Sequence, residues 1–340
     1  MSIIKRIAEP YYLRLQRRRR RLRAVRKQKD LTTIKNRTDV RRETDVFLFS
    51  VIHNERHRLP YFLDYYRKLG IDHFFFVDNA SDDGSREFLA AQPDVSLWHS
   101  GASYKRANFG MDWVNSLLRR YGRNHWCLIV DADEFFVYPH CDTRPIGALT
   151  DWLDASAIKS FGAMLLDMYP KGALESQTYT SGQDPFEVLT HFDSCNYTHK
   201  PNEKYGNLWI QGGPRQRVFF SDTPEQAPAL NKIPLVKWQR GNIFVSSTHT
   251  LLPRGLNKTF EDWGGEKICG TLLHAKFLPD IQRKTATELT RKQHYAGGRE
   301  YKAYGVRGDT ETVLSHEYST RFKDWKQLEN LGLISLGGWA

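Results

Sequence analysis

Between residues 45 and 170, short apolar runs rich in β-branched and aromatic residues alternate with stretches of helical spacing. That is the pattern of a parallel sheet covered by helices. The runs predict strands at Val46–Ile52, Phe74–Asp78, Val95–Trp98, Trp126–Val130 and Ala163–Asp167. Helices are expected at Leu59–Lys68, Ser85–Ala90, Arg106–Arg120 and Ile146–Leu153. The fold class is therefore α/β, with a Rossmann-like, mostly parallel sheet flanked by helices. Beyond residue 170 the chain is rich in Gly, Pro, Asn and aromatics, with strand-like runs such as Arg217–Phe220 and Ile243–Ser246. Long loops and a small mixed sheet are expected there, with helical character returning at Tyr318–Leu331.

The first 44 residues obey a different rule. Ile3, Ile4, Ile7, Tyr11, Leu15, Leu22 and Val25 recur at spacings near three, four or seven, with Arg17 to Arg21 between them. A helix there would be amphipathic, although Pro10 interrupts its start. Residues 1–30 carry twelve Lys or Arg and two acids, so they account for +10 of the formal net charge of +11. The remainder of the chain is nearly neutral, which argues against a basic groove for nucleic acid. The leader is either a helix lying on an anionic membrane surface or a solvated, disordered tail, with RNA binding a lesser alternative.

A chain of 340 residues with 40% hydrophobic content can close one large core or two smaller ones. No stretch approaches the roughly 20 apolar residues of a spanning helix, and the first residues lack the apolar core of a secretory signal. The expected location is cytoplasmic, peripheral on the inner face of the cytoplasmic membrane if the leader binds lipid. Cys127, Cys141, Cys195 and Cys269 form no CxxC pair and read as reduced, mostly buried thiols.

In open α/β sheets, ligands bind beyond the carboxyl ends of the strands. Three such ends are unusually polar: His53-Asn54-Glu55, the segment Asp78 to Gly84, and Asp131-Ala132-Asp133-Glu134. The last places three carboxylates within four residues, directly after the apolar run Trp126 to Val130. Like charges this close repel unless something positive sits among them, and Mg²⁺ or Mn²⁺ shared with substrate phosphates would serve. The plain alternative is a solvated acidic turn capping a helix-like segment. Asp78 could accept the N3–H of a uracil ring, while Ser81, Asp82 and Asp83 read as caps for the next helix. His53 could stack on a base or be an ordinary strand-end histidine. Arg215 and Arg217, in a Gly-rich loop, could chelate phosphate or a charged acceptor. His249 could line a sugar pocket or belong to a plain polar loop.

The series SVIHNERHRLPYFLDYYRKLGIDHFFFVDNASDDGS, succeeded by LIVDADEFF, resembles the family 2 type of glycosyltransferase with the GT-A fold. The similarity covers residues 45–170, and the blocks GGPRQRVFF, LNKIPLVKW, SSTHTLLP and GTLLHAKFL resemble a bacterial branch of that family. The leader and the last forty residues fall outside that match, and the expected organisation is a leader at 1–44, a GT-A domain at 45–297 and a helical extension at 298–340. The resemblance implies a metal-dependent, inverting, hexosyltransferase-like enzyme that moves a sugar from a nucleotide-sugar, expected to be a UDP-sugar, to a saccharide or lipid-linked acceptor. By the resemblance His53, Glu55 and Asp78 lie at the nucleotide and Arg106 near the diphosphate. Asp131 touches the ribose or the metal, Asp133 coordinates the metal, and His274 is a further ligand. Asp262, in TFEDWGG, is the preferred base, with Asp167 and Asp193 as rivals. The competing readings are a metal-dependent hydrolase or nucleotidyltransferase, and a non-enzymatic polyanion binder acting through the leader.

Overall fold

A computed structural model describes residues 3–40, 42–260, 267–291, 293, 299–305 and 312–339. Its strands in chain order are β1 (Thr32–Lys35), β2 (Val46–Ile52), β3 (His73–Asp78), β4 (Val95–His99), β5 (Trp126–Ile129), β6 (Glu134–Val137), β7 (Ser160–Asp167) and β8 (His191–Asp193). They continue as β9 (Tyr197–Asn202), β10 (Asn207–Gly212), β11 (Asn231–Lys237), β12 (Ile243–Ser246), β13 (Thr250–Leu252), β14 (Cys269–His274) and β15 (Ser319–Arg321). The helices are α1 (Ile3–Lys27), α2 (Leu59–Leu69), α3 (Ser85–Ala91), α4 (Met111–Tyr121), α5 (Ile146–Ala155), α6 (Ile281–Arg291), α7 (Arg299–Gly305) and α8 (Trp325–Asn330).

The main sheet has nine strands in the order β1-β4-β3-β2-β5-β11-β7-β14-β6. Strands β4, β3, β2, β5, β7 and β14 run one way; β1, β11 and β6 run against them. The expected α/β class and its mostly parallel sheet are therefore observed. The small sheet expected in the second half is instead three antiparallel pairs, β9 with β10, β12 with β13, and β8 with β15, while β11 and β14 join the main sheet.

Two layers of side chains explain why β2 and β3 are apolar almost throughout. Val46, Leu48, Phe74 and Phe76 enter one core, with Phe62, Leu63 and Tyr66 of α2. Phe47, Phe49, Phe75 and Val77 enter the opposite core, with Trp113, Leu117 and Leu118 of α4. This is the two-residue period of a strand covered on both faces. Helix α2 stops at Gly70, whose φ of 96° supplies the left-handed cap. From the C-terminal segment, Trp325, Leu328, Ile334 and Trp339 join the first core.

Four expectations need correction. The helix expected from Arg106 starts at Met111, because Asn108, Phe109 and Gly110 all have positive φ and break it; Arg106 lies in a short 3-10 turn. The run Arg217–Phe220 lies largely within a π-helical turn over Arg215–Phe219, entered through Gly212, Gly213 and Pro214. The Tyr318–Leu331 segment divides into β15 and then α8, whose N-terminus is capped by Asp324 accepting from the Gln327 N–H. The four cysteines are free, but only Cys127 is buried, and Cys195 is exposed.

The leader is helical through Pro10. Leu13 and Ala24 pack against Ile243, Val245 and Leu252. Arg23 donates to Asp112 at 2.6 Å, and Gln16 donates to the Tyr205 hydroxyl at 3.0 Å. Among the described residues no helix is long and apolar enough to cross a membrane.

Gly270 marks the tightest approach between β14 and its neighbours. A Cβ there would stand 2.4 Å from the Val137 backbone oxygen, which cannot swing aside. Gly270→Ala should cost about 1–3 kcal/mol of stability, the usual range for overpacking; an unchanged denaturation midpoint would contradict this packing.

Candidate functional site

Three strand ends converge on the acidic segment because of register. Pairing across β6, β14 and β7 sets Glu134 opposite His274 and His274 opposite Asp167. Val130 to Asp133 link β5 in the middle of the sheet to β6 at its edge, through a turn in which the Glu134 N–H donates to the Asp131 carbonyl at 3.0 Å. The acidic triplet leads into a strand, so its carboxylates do not cap a helix.

The expectation that something positive must sit among these carboxylates is met first by the protein itself. Lys232, near the start of β11 and 6% exposed at its side chain, places Nζ 2.8 Å from Glu134 Oε1 and 3.9 Å from Asp131 Oδ2. Burial works against its charge, but Glu134 and then Asp131 outweigh that and raise its pKa. Lys232 was missed in the sequence, where the available signal was a lone cation at the head of the apolar run Ile233 to Val236.

His274 balances the other carboxylates. Its Nδ1 lies 2.6 Å from Asp167 Oδ1 and its Nε2 lies 3.5 Å from Asp133 Oδ2. Burial favours neutral imidazole, yet Asp133 and Asp167 raise its pKa above the ordinary value. Burial likewise opposes ionisation of Asp133, but His274, Lys284 and Lys276 hold that carboxyl well below the usual range. Asp131 differs: its side chain is 58% exposed. Desolvation by the neighbouring protein, and after it the charge of Glu134, raises its pKa, and Lys232 pulls it back.

Asp131 and Glu134 line a small recess of about 50 Å³ together with Ser50, Val51, Met111 and Thr248. The hydroxyls of Ser50 and Thr248 are buried there without a partner among the described residues. A buried unpaired hydroxyl is costly, so this recess suits a polar group or a water. The imidazole of His249, adjacent to Thr248, is bonded through Nδ1 to the Asn231 carbonyl and stays neutral, its pKa pushed down to about 3 by burial and then by Lys232.

The remaining predicted residues fall into separate networks. His53 Nδ1 lies 2.8 Å from the Asn79 carbonyl oxygen. Asp78 is fully buried; its carboxylate accepts from the Ser81 N–H and from Arg86 Nε, and meets His99 Nδ1 at 3.1 Å. Burial raises its pKa, but these bonds from Ser81, His99 and Arg86 bring it below the ordinary value. Asp83 accepts from the first N–H of α3, at Ser85, whereas Asp82 bonds Asn54. Glu55 is paired with Arg58 and Lys284, and Arg58 also binds Asp280 at 2.9 Å. Burial notwithstanding, Arg58, His57 and Lys284 hold Asp280 well below the carboxylate range. None of Arg58, Asp280 and Lys284 was singled out in the sequence, since their meeting joins α2 to α6 across more than two hundred residues.

The two loop arginines point inward. Arg215, 4% exposed at its side chain, donates to Asp167 at 2.7 Å and to Glu300 at 3.0 Å, leaving Nη2 unpaired among the described residues. Arg217 grips both oxygens of Asp193 and donates to the Leu314 carbonyl. Asp193 also accepts from Tyr169 at 2.5 Å. The carboxylates of Asp167 and Asp193 are thus engaged at both oxygens. Arg106 is exposed. Asp262 lies outside the described residues.

Asp133 and His274 bring one oxygen and one nitrogen donor together, two of the ligands a divalent cation could take. Asp133 and His274 Nε2 face each other, and the second ring nitrogen of His274 is anchored on Asp167, the usual support for a metal-binding imidazole. Among the described residues no group of three or more His, Cys, Asp or Glu side chains is arranged as a complete metal site.

No family model matches the chain, and no curated protein sequence matches it. Among solved structures it is similar to a mannosyltransferase from Pyrobaculum calidifontis in complex with GDP-Man and Mn²⁺, at 20% identity and a TM-score of 0.27 over 46% of this chain and 45% of that one. It therefore spans less than half the length of that enzyme. A 4-diphosphocytidyl-2C-methyl-D-erythritol synthase matches at 17% identity and a TM-score of 0.25, over 41% of this chain and 68% of the other. A protein assigned as a glucose-1-phosphate thymidylyltransferase from Bacillus anthracis, in complex with a sucrose, matches at 9% and 0.25, over 84% and 93%. At these TM-scores the three structures define no family for this chain.

The coupling of Lys232 to Glu134 can be measured. Lys232→Met should destabilise the protein by about 3–5 kcal/mol, because it strands a buried charge. Adding Glu134→Gln should recover most of that loss in chemical denaturation; a double variant as unstable as the sum of the singles would show that the two groups do not interact.

Proposed function

We propose that this chain is a nucleotide-sugar-dependent glycosyltransferase that transfers from a UDP-sugar to a saccharide or lipid-linked hydroxyl with inversion. The observation that carries the reading is the convergence of Asp131, Asp133, Lys232 and His274 at the carboxyl end of β5, beside a recess with two unpaired buried hydroxyls. The recess holds only a small polar group, so the nucleotide would lie across its mouth, where Asp131 is open to solvent.

Mn²⁺ or Mg²⁺ would be held by Asp133 and His274, with Asp131 nearby, and would stabilise the charge on the departing nucleoside diphosphate. Lys232 holds the Asp131–Glu134 turn in place through its contacts with both carboxylates. His53 sits at the nucleobase side, and Asp78 orders the loop behind it through Ser81, Arg86 and His99. Arg215 supports His274 from behind, through Asp167. The acceptor base is Asp262, since Asp167 and Asp193 are committed to internal partners.

A thermal-shift series with UDP, GDP and CDP, each with and without Mn²⁺, tests the reading. At a ligand concentration near 100 Kd, binding should stabilise the fold by about 2.7 kcal/mol. Asp133→Asn should erase the Mn²⁺-dependent part of the shift, read against the variant's own unliganded melting curve, which is expected to lie below wild type because the carboxylate's pairing with His274 is lost. No response to any nucleotide in either condition would refute the donor site, and release of pyrophosphate instead of a nucleoside diphosphate would move the enzyme to the nucleotidyltransferases.

A further inference from the structure

The helical leader docks by the face that its hydrophobic spacing does not advertise. Leu13 and Ala24 are the buried anchors, at 6% and 1% exposure. The stripe that reads as apolar in the sequence faces outward, with Tyr11 at 65%, Leu22 at 59% and Val25 at 42% exposure. The two sets occupy different sides of the helix: positions 13, 16, 20 and 24 lie towards the body, and 11, 18, 22 and 25 lie away from it. Exposed arginines fill the outward face between the apolar side chains, among them Arg14, Arg18, Arg19 and Arg26. Of the eight large hydrophobic side chains exposed among the described residues, three, Tyr11, Leu22 and Val25, share this face of one helix, while a fourth, Tyr12, turns towards Lys204 of the body.

We infer that the outward face of α1 is a docking surface for an anionic lipid bilayer. A surface-lying helix buries apolar side chains at the headgroup boundary while its basic residues meet lipid phosphates. Leu22 and Val25 decide between occupants. A nucleic acid rewards the arginines through phosphate contacts and counterion release but offers nothing to cover exposed Leu22 and Val25. The bilayer covers both classes. The helix is held on the body by the Arg23–Asp112 pair and by the Gln16–Tyr205 bond, so it presents this face from a fixed mount. The surface uses none of the residues of the acidic turn, and its test stands or falls apart from the transferase reading.

The experiment is cosedimentation of the full chain with vesicles of phosphatidylcholine alone and with vesicles carrying about one quarter phosphatidylglycerol, the anionic component. The same preparations are assayed for retention of transfer RNA. Two variants keep the docked face intact: Leu22→Gln with Val25→Gln, and Arg18→Gln with Arg19→Gln and Arg26→Gln. Wild type is expected on anionic vesicles only, and each variant should lower partitioning by about tenfold, with melting curves unchanged. Loss of vesicle binding in the Leu22/Val25 variant without loss of RNA retention assigns the apolar stripe to lipid. Equal binding of wild type and the Leu22/Val25 variant to anionic vesicles, no wild-type binding, or a preference for RNA that depends on the arginines alone, overturns the proposal.

Discussion

A buried lysine between carboxylates underlies the arrangement at the carboxyl end of the sheet. Glu134 is 2% exposed, and Lys232 reaches it at 2.8 Å from the antiparallel strand β11. Without that ammonium, the buried Glu134 carboxylate would lose its cationic partner close to Asp131 and Asp133. With it, Glu134 becomes part of the frame, and Asp131 and Asp133 are left facing the surface and His274. The carboxylates thus divide into one held in the interior by Lys232 and two turned towards the surface and His274, a division set by which strand each side chain reaches.

His274 performs the matching task on the far side. Register brings it between Glu134 and Asp167 along the backbone, and its ring then connects Asp133 to Asp167. Arg215 and Glu300 extend the chain of charges inward. The network is nearly closed: the unpaired Nη2 of Arg215 is its one orphaned nitrogen among the described residues. A second network, around Glu55, Arg58, Asp280 and Lys284, fixes the end of β2 against the start of α6. Both are built across long sequence separations, so the strand ends are braced from several directions.

Locality decided how much was legible in the sequence. Strands β2, β3 and β5 show as continuous apolar runs because each is covered on both faces, and the polar residues beyond their ends stand out for that reason. The acidic turn was visible in this way, whereas His274, the last residue of β14, was singled out only through the resemblance. The start of α4 was not, because three consecutive left-handed residues depend on close packing against Val51 and Tyr104 at Gly110. The segment after Arg215 reads as a strand by composition, but its conformation is decided by Asp167 and Asp193, reached only in the folded chain. The same reason hid the inward direction of Arg215 and Arg217, and the enclosure of Asp78 by Arg86 and His99. For the leader, spacing revealed a helix with two faces but not which face meets the body, since Leu13 and Ala24 are less conspicuous than the stripe they oppose.

The backbone of the acidic turn is tied at almost every peptide. Val130 donates to Phe49, Asp131 to the Glu134 side chain, and Glu134 to Asp131, while the carbonyls of Asp133 and Glu134 receive Ala275 and Tyr66. Such a segment has already given up its conformational entropy when the chain folds. A molecule that associates with Asp131 or Asp133 therefore meets groups that need no further ordering, and more of its contact energy survives as net affinity.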